Sequence, residues 1–375
     1  MQHAYSSRPF GFTGAASRRR TVIRRAVPVV AALAAITLTA ACSSSDSGSG
    51  GGDKVAVSLI TKDSINPFFV AMQKGAKDAA AANNVDLSVG AGAKDGDEQG
   101  QVTLIENAIA KGQRGILITP NGPGVNSAIK KARDAGLYVI ALDTPPDPAD
   151  TVDITFATDN FKAGTLIGQW AAKSLNGKPA VIAMLDLFND KSVSVDYNRD
   201  QGFLTGMGID VKDKTKNGDE AKTGNYSGGT YTIVCNEPTN GAQPDGKTAM
   251  ERCLAKNPNI NLVYSINEPS GTGASEALKA AGKTATIVSV DGGCQGVSEV
   301  KDGILNATAQ QYPVKMAELG VAAIAKYAKD KTKPTTTPGL DFFDTGQALV
   351  TDKPQEGVES ITSDEGSKIC WGTTG

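Results

Sequence analysis

Histidine is almost absent from this chain of 375 residues, and its scarcity excludes several classes of enzyme. The single histidine, His3, lies in a segment that we expect to be removed from the mature protein. Without histidine, the mature chain cannot form a Ser-His-Asp or Cys-His nucleophilic centre, an HExxH zinc site or an imidazole acid–base catalyst. Carboxylate or lysine catalysis stays open, but the sequence favours a protein that is not an enzyme, with no catalytic residues, cofactor or metal.

Basic clusters are also missing from the part of the chain that we expect to remain. Residues 1–41 contain six arginines and no acidic residue. Removing these six positive charges from the formal net charge of −2 leaves the mature chain at −8. Because nucleic-acid binding depends on cationic contacts with phosphate, this acidic chain argues against a nucleic-acid partner.

The N-terminal residues have the pattern of an export signal. The basic region is followed by an apolar run, Ala26 to Ala41, which contains Pro28 and is shorter than a membrane-spanning helix requires. The segment Leu38-Thr39-Ala40-Ala41-Cys42 resembles the lipobox of bacterial lipoproteins, in which the cysteine becomes lipidated. We therefore predict a signal peptide over residues 1–41, lipidation of Cys42, and a flexible tether over residues 42–53. The protein would be exported and lipid-anchored on the outer face of the cytoplasmic membrane.

Four cysteines follow Cys42, and an even number in an exported chain indicates disulfides. No two of them have the CxxC spacing of a metal or redox site. Four cysteines allow three pairings. Our hypothesis is that Cys235 pairs with Cys253, which closes a short loop. The second pair, Cys294 with Cys370, would then tie the C-terminal tail to the turn after Asp291.

From Lys54 onward, short apolar runs alternate with segments of helical periodicity. The run Val55–Ile60 predicts a strand and Pro67–Ala82 predicts a helix, because Asn66 can cap the first turn and proline suits the first helical position. Such alternation is typical of an α/β fold, in which helices cover both faces of parallel sheets. Ligands of these folds bind at the carboxyl ends of the strands.

Polar and aromatic residues recur at those predicted strand ends. Carboxylates and amides there can donate to and accept from hydroxyl groups, while aromatic faces can cover the apolar faces of a sugar ring. The residues concerned follow four of the predicted strands: Asn66 with Phe68 and Phe69, Asp143 with Thr144, Asn267 with Glu268, and Asp291. The pattern predicts a site for a polyhydroxylated ring.

Several motifs, in this order along residues 54–329, resemble those of the ribose-type periplasmic sugar-binding proteins. They are Asn66-Pro67-Phe68-Phe69, VIALD ending at Asp143, Thr158-Asp159-Asn160, Asn198-Arg199, Asn267-Glu268, Val290-Asp291-Gly292 and Gln311-Tyr312-Pro313. The resemblance implies the type I periplasmic-binding fold, an α/β fold of two doubly wound parallel-sheet domains joined by a three-crossing hinge. The implied domains are residues 54–158 with about 312–340, and residues 159–311 with about 341–375. We expect the crossings near Thr158-Asp159, Asp291 and Tyr312.

The resemblance also implies the residues that contact the sugar. Carried over position by position, these contacts fall on Asn66, Phe68, Phe69, Asp143, Arg199, Asn267, Asp291 and Gln311. Thr144 belongs with this set because ribose-specific members have arginine at its position. The identity of the sugar therefore stays open between a fructose-like and a ribose-like monosaccharide.

The function implied by the resemblance is that of a monomeric receptor. It would capture a monosaccharide between two closing domains and deliver it to the membrane permease of an ABC importer. The alternative is a sensor of a sugar or furanose signal without a transport role. A glycosidase using Asp143 and Asp291 is disfavoured by the missing histidine. A repressor of the LacI class is excluded because an export signal, and no helix-turn-helix, precedes Val55.

Overall fold

The computed structural model describes residues 54–373, which form two lobes. The predicted signal peptide, the tether and Cys42 lie outside the described residues. Each lobe is an open, mostly parallel β-sheet with helices packed against it. Within residues 54–373, no helix is both long and apolar enough to cross a membrane.

The first lobe is built mainly from the first third of the chain. Its elements there are β1 (Val55–Thr61), α1 (Pro67–Ala82), β2 (Val85–Ala91), α2 (Glu98–Ala110), β3 (Gly115–Ile118), α3 (Asn126–Asp134), β4 (Tyr138–Leu142) and β5 (Ile154–Ala157). Helix α1 has the predicted bounds because the side-chain oxygen of Asn66 accepts the N–H of Phe68 at 3.0 Å and Pro67 occupies the first position.

The second lobe follows, and the chain then returns to both lobes. Its elements are α4 (Asn160–Ser174), β6 (Ala180–Asp186), α5 (Ser194–Met207), β7 (Thr223–Tyr226), β8 (Gly229–Pro238), α6 (Gln243–Lys256), β9 (Leu262–Ser265), α7 (Glu268–Ala280), β10 (Thr286–Asp291), α8 (Cys294–Lys301) and β11 (Ala307–Gln310). After these come α9 (Pro313–Asp330), β12 (Phe343–Asp344), β13 (Ala348–Val350) and α10 (Ser363–Gly366).

The strand orders confirm the predicted α/β fold with two doubly wound sheets. The first sheet runs β12-β5-β4-β3-β1-β2, and all its pairs are parallel. The second runs β13-β11-β10-β9-β6-β8-β7, with antiparallel pairing only at the edges, where β13 joins β11 and β7 joins β8. The central strands are buried on both faces, as expected of parallel sheets covered by helices.

The chain passes between the two sheets three times, and the third crossing differs from the one expected at Asp291. Asp291 lies within the second sheet, where it pairs with Gln310. The third crossing instead follows Asp344 and is joined to the first, since Thr345 N–H donates to the carbonyl of Ala157 at 2.8 Å. The second domain was expected from about residue 341, but Phe343 still pairs with Phe156 in the first sheet. Because this two-residue strand pairs in the first sheet and β13 pairs in the second, the boundary lies at about residues 345–347.

Two disulfides lie in the second lobe, and they join the same cysteines that were expected to pair from the sequence. Cys235 on β8 is bonded to Cys253 on α6, which fastens that helix to the sheet. Cys294, the first residue of α8, is bonded to Cys370 in the C-terminal tail. The second bond brings together parts of the chain that are 76 residues apart.

Helices α4 and α5 approach closely because glycines lie where they cross. A β-carbon at Gly164 would lie 2.3 Å from the carbonyl oxygen of Arg199, and one at Gly202 would lie 2.3 Å from that of Phe161. Real β-carbons do not approach carbonyl oxygens so closely, so a larger residue at either position would push the helices apart. This packing fixes the backbone that carries Arg199.

Candidate functional site

The candidate site lies where loops at the carboxyl ends of strands meet between the lobes. In sheets of this kind, ligands bind in the crevice outside these strand ends. Two hydrogen bonds cross the crevice here. Ser194 Oγ donates to the carbonyl of Pro145 at 2.6 Å, and Lys191 Nζ donates to the carbonyl of Gly96 at 3.1 Å. The loop after β2 therefore contacts the segment between β6 and α5, and the loop after β4 contacts the first residue of α5.

The charged centre of this site is the pair Arg199 and Asp291, and Gln311 is bonded to Asp291. Nη1 of Arg199, on α5, is 3.7 Å from Oδ1 of Asp291 at the end of β10. The same Oδ1 accepts a hydrogen bond of 2.8 Å from Nε2 of Gln311, in the crossing after β11. Burial raises the pKa of Asp291 to about 6, and the Arg199 charge opposes that rise. At pH 7 and above, the carboxylate is therefore mainly ionised and can accept hydrogen bonds.

Two hydrogen-bond partners orient Arg199, and neither was predicted from the sequence to bind it. Its Nε donates to Oδ1 of Asn160, the first residue of α4, at 2.7 Å. Its Nη1 donates to the carbonyl of Ile266 at 2.9 Å. These bonds use two of the five donors of the guanidinium group and hold its plane in one direction.

Asn267 and Glu268 shape the second-lobe side of the site. Asn267 caps α7, since its Oδ1 accepts from the backbone N–H of Ser270 at 3.1 Å, and its Nδ2 donates to the carbonyl of Gly241 at 3.0 Å. Glu268 accepts the N–H groups of Gly292 and Gly293 at 2.8 and 3.1 Å, which fixes the turn after Asp291. Burial, and then the charge of Asp291, raise the pKa of Glu268 well above its ordinary value.

Three aromatic rings pack together beside Gln311, and the sequence did not predict one of them. Phe68 meets Phe69 edge to face, with ring centroids 5.3 Å apart. On its other side Phe68 meets Trp371 edge to face, with centroids 5.4 Å apart. Trp371 comes from the C-terminal tail, 80 residues after Asp291 in sequence, so no local pattern linked it to the site.

Asp143 and Thr144 lie directly after β4. Thr144 Oγ1 donates to Oδ2 of Asp143 at 2.7 Å. The Asp143 charge adds to the rise in the pKa of Asp291 that burial causes. Both residues have positive backbone φ angles, 65° for Asp143 and 143° for Asp291. Non-glycine residues adopt such angles at a cost, and they are frequently found at functional sites.

A buried lysine in the first lobe also escaped the sequence interpretation. Lys62, directly after β1, has only 2% of its surface exposed, and its Nζ lies 3.7 Å from Oδ2 of Asp95. Burial raises the pKa of Asp95, and the Lys62 charge opposes that rise. The one signal that could have identified Lys62 is its position between the first predicted strand, Val55–Ile60, and Asn66.

Buried carboxylates hold the loop that follows β6. Asp196, on α5, accepts the N–H groups of Leu187 and Phe188 at 2.9 and 3.2 Å. Burial raises the pKa of Asp196 to about 6. Burial and the Asp196 charge raise that of Asp186 to about 7. Burial likewise raises the pKa of Asp200 well above its ordinary value.

Contacts join most of the predicted site residues into one group, while the bonds of Asn267 go to Ser270 and Gly241. Asp291 contacts both Arg199 and Gln311, and Phe68 and Phe69 reach Gln311 through Trp371. Thr144 is bonded to Asp143, whose charge acts on Asp291. Asn66, partly exposed, lines a cavity together with Asp291 and Trp371. The group combines paired charges, amides and aromatic faces, a composition that suits a neutral molecule rich in hydroxyl groups.

Comparison with protein families identifies the chain. The family description "Periplasmic binding protein domain" matches residues 57–332. This chain belongs to the periplasmic binding protein family. The match covers most of both lobes, and it confirms the family resemblance and the fold expected from the sequence.

Curated periplasmic binding proteins from several bacteria are similar to this chain over most of its length. The galactofuranose-binding protein of Escherichia coli is 30% identical over 269 residues, which cover 69% of this chain and 77% of that protein. The ribose import binding protein of Salmonella typhimurium is 26% identical over 282 residues, covering 74% of this chain and 86% of that protein.

A solved structure has the same fold as this family member. A solute-binding protein of an ABC transporter from Actinobacillus succinogenes, with bound D-allose, matches with a TM-score of 0.67 and 25% identity. The match covers 80% of this chain and 98% of that one. The similarity therefore extends over both lobes.

Proposed function

We propose that this protein binds a monosaccharide between its two lobes and delivers it, chemically unchanged, to the membrane permease of an ABC importer. The observation that carries the proposal is the joined group of Arg199, Asp291 and Gln311 beside the rings of Phe68 and Trp371. The charges of this group are paired within the protein, so it suits a ligand that offers hydroxyl groups and no net charge.

The similar proteins support this class of ligand. Their names refer to ribose, galactofuranose and D-apiose, and the solved relative holds D-allose. All four are neutral monosaccharides. We infer that the ligand is a fructose-like or ribose-like sugar. Thr144 stands where ribose-specific members have arginine, so the sugar would meet a hydroxyl group there, which can donate and accept, in place of a cation.

We propose a division of roles among the site residues. Phe68 and Phe69 supply apolar contact with the ring, while Arg199, Asn267, Asp291 and Gln311 bind its hydroxyl groups. Asn66, Asp143 and Thr144 complete the contacts from the first lobe. Because the residues come from both lobes and a crossing, a sugar that contacts all of them favours the closed arrangement of the lobes.

A thermal-shift screen over pentoses, hexoses and polyols tests the proposed ligand class. A bound sugar should raise the unfolding temperature in proportion to its concentration, because ligands that bind only the native state stabilise it. The stabilising sugar should be recovered chemically intact after prolonged incubation. Conversion of the sugar during incubation would show an enzyme and contradict the proposal.

We also infer that the protein acts as a monomer at the outer face of the cytoplasmic membrane, held there by a lipid on Cys42. Labelled fatty acid should be incorporated into the unaltered protein and not into a Cys42→Ala variant. Uptake of the labelled sugar should be lost when the protein is absent and restored by the unaltered protein. Normal uptake in its absence would favour the alternative of a sensor without a transport role.

A further inference from the structure

The C-terminal tail is fastened to the second lobe immediately beside Asp291. The Cys294–Cys370 disulfide joins the tail to the first residue of α8. The backbone of Trp371 forms a parallel bridge with Gly293, in which the carbonyl of Trp371 accepts the N–H of Cys294 at 2.9 Å. Chain ends usually fray unless they are tied down, and the disulfide and this bridge tie down the tail.

The side chain of Trp371 extends from this fixed point toward the first lobe. Its Nε1 donates to the carbonyl of Gln311 at 2.7 Å, within the crossing after β11. Its ring meets that of Phe68 edge to face at 5.4 Å, with an angle of 84° between the planes. Only 8% of the residue is exposed. One tail residue thus contacts the second lobe, a crossing and the first lobe.

A cavity of about 140 Å³ lies against this ring. Its lining includes Asn66, Asp291 and Gln295 as well as Trp371. A single water needs only about 10–15 Å³ measured in this way, so the space exceeds what one or two waters fill. The cavity therefore has one aromatic wall next to carboxylate and amide groups.

We propose that Trp371 is a specificity-determining residue of the sugar site, and that the Cys294–Cys370 disulfide positions it. The inference rests on the proposed binding of a monosaccharide. The indole covers the apolar face of a sugar whose hydroxyl groups reach Asp291, because such faces pack favourably on aromatic rings. The disulfide holds the ring in place before the sugar arrives, which lowers the entropy lost on binding.

Fluorescence distinguishes a ring at the site from one that only supports the fold. The chain has two tryptophans, and the other, Trp170, lies in the core of the second lobe with Nε1 bonded to the carbonyl of Lys353. A Trp170→Phe variant should keep the change in emission that the stabilising sugar produces. A Trp371→Phe variant should lose that change but keep an affinity within about threefold of the parent, since the ring face remains. If the change survives in Trp371→Phe, the inference is wrong.

Calorimetric titration with the same sugar then measures the contribution of the ring. Trp371→Ala should weaken binding about tenfold or more, and it should alter the order of preference among pentoses and hexoses. Circular dichroism and a melting curve establish that each variant is folded at the titration temperature. Folded Trp371→Ala with unchanged affinity and preference would overturn the inference. If the unaltered protein binds no monosaccharide, the proposed function is wrong as well. The two failures can therefore be told apart, because only the second one affects the unaltered protein.

The two disulfides allow a controlled test of whether the Cys294–Cys370 bond positions Trp371, with the Cys235–Cys253 bond as the control. Replacing Cys294 and Cys370 with serine should weaken sugar binding at least about fivefold in protein that is still folded. Replacing Cys235 and Cys253 with serine, in the bond between β8 and α6, should lower the melting temperature without a comparable loss of affinity. Equal effects of the two replacements on affinity would overturn the positioning role of the tail disulfide.

Discussion

Replacing Asp291 with alanine should weaken sugar binding about ten- to a hundredfold. Asp291 is buried at the end of β10, and its Oδ1 faces both Gln311 Nε2 at 2.8 Å and Arg199 Nη1 at 3.7 Å. A carboxylate here can accept from sugar hydroxyl groups that have no access to water once the lobes are closed. Losing a hydrogen bond to a charged group costs about 1.5–3 kcal/mol, which corresponds to this range of affinity.

The same change should lower the stability of the protein only moderately. Removing one partner of a buried ion pair costs about 3–5 kcal/mol when the remaining charge has no other partner. Arg199 keeps its bonds to Asn160 and to the carbonyl of Ile266, and its distance from Asp291 is already longer than a hydrogen bond. We therefore expect a loss of about 1–3 kcal/mol in the free energy of unfolding.

Calorimetric titration and urea unfolding of three variants check both magnitudes. Asp291→Asn should lie between the parent and Asp291→Ala in affinity, because the amide retains an acceptor. Asp302→Ala, which removes an exposed aspartate at the end of α8, should change neither quantity by more than about 0.5 kcal/mol. An Asp291→Ala protein that binds the sugar as tightly as the parent would refute the assignment of this site.

Three further predictions concern Phe68, the disulfide pairing and the pH dependence of stability. Phe68→Ala should weaken binding by about tenfold, through lost apolar contact and without reordering the preference among sugars, as titration with several sugars would reveal. Peptide mapping without reduction should return Cys235 linked to Cys253 and Cys294 linked to Cys370, and free thiols or other pairs would refute this. The free energy of unfolding should fall as pH rises from about 4 to 7, because Asp186 and Asp196 have pKa values of about 7 and 6 in the folded protein and ordinary values near 3.9 when unfolded. The folded state binds more protons in that window, so urea unfolding at pH 5.5 and 7.5 should show the difference, and Asp186→Asn should reduce it.

The parts of the fold that could be predicted are those with strong local signals. Helix α1 has the expected bounds because Asn66 and Pro67 fix its beginning independently of the rest of the chain. Strand β1 was expected over Val55–Ile60, and it runs one residue further, to Thr61. A short apolar run of this kind is the local signal of a strand in a parallel sheet covered by helices.

Features that depend on distant pairing could not be predicted in this way. Strand β12 has two residues, Phe343 and Asp344, and only its pairing with Phe156 and Ala157 makes it a strand. The third crossing was therefore misplaced. Trp371 escaped notice for the same reason, because the Cys294–Cys370 disulfide and the backbone bridge to Gly293 bring it to the site.

Lys62 and Asn160 were missed for a different reason. Lys62 lies directly after β1, and Asn160 lies at the start of α4 within the Thr158-Asp159-Asn160 motif. Residue type at a strand end does not tell which way a side chain points. The Lys62–Asp95 pair and the Asn160–Arg199 bond are properties of the packed structure.

Titration calorimetry of the unaltered protein with single monosaccharides is the most direct test of the proposed function. At least one fructose-like or ribose-like sugar should bind saturably at one molecule per chain, because the proposed site takes its residues from both lobes. That sugar should be recovered unchanged. If no pentose, hexose or furanose sugar binds, or if the stoichiometry shows that each lobe holds a separate molecule, the proposed site between the lobes is wrong.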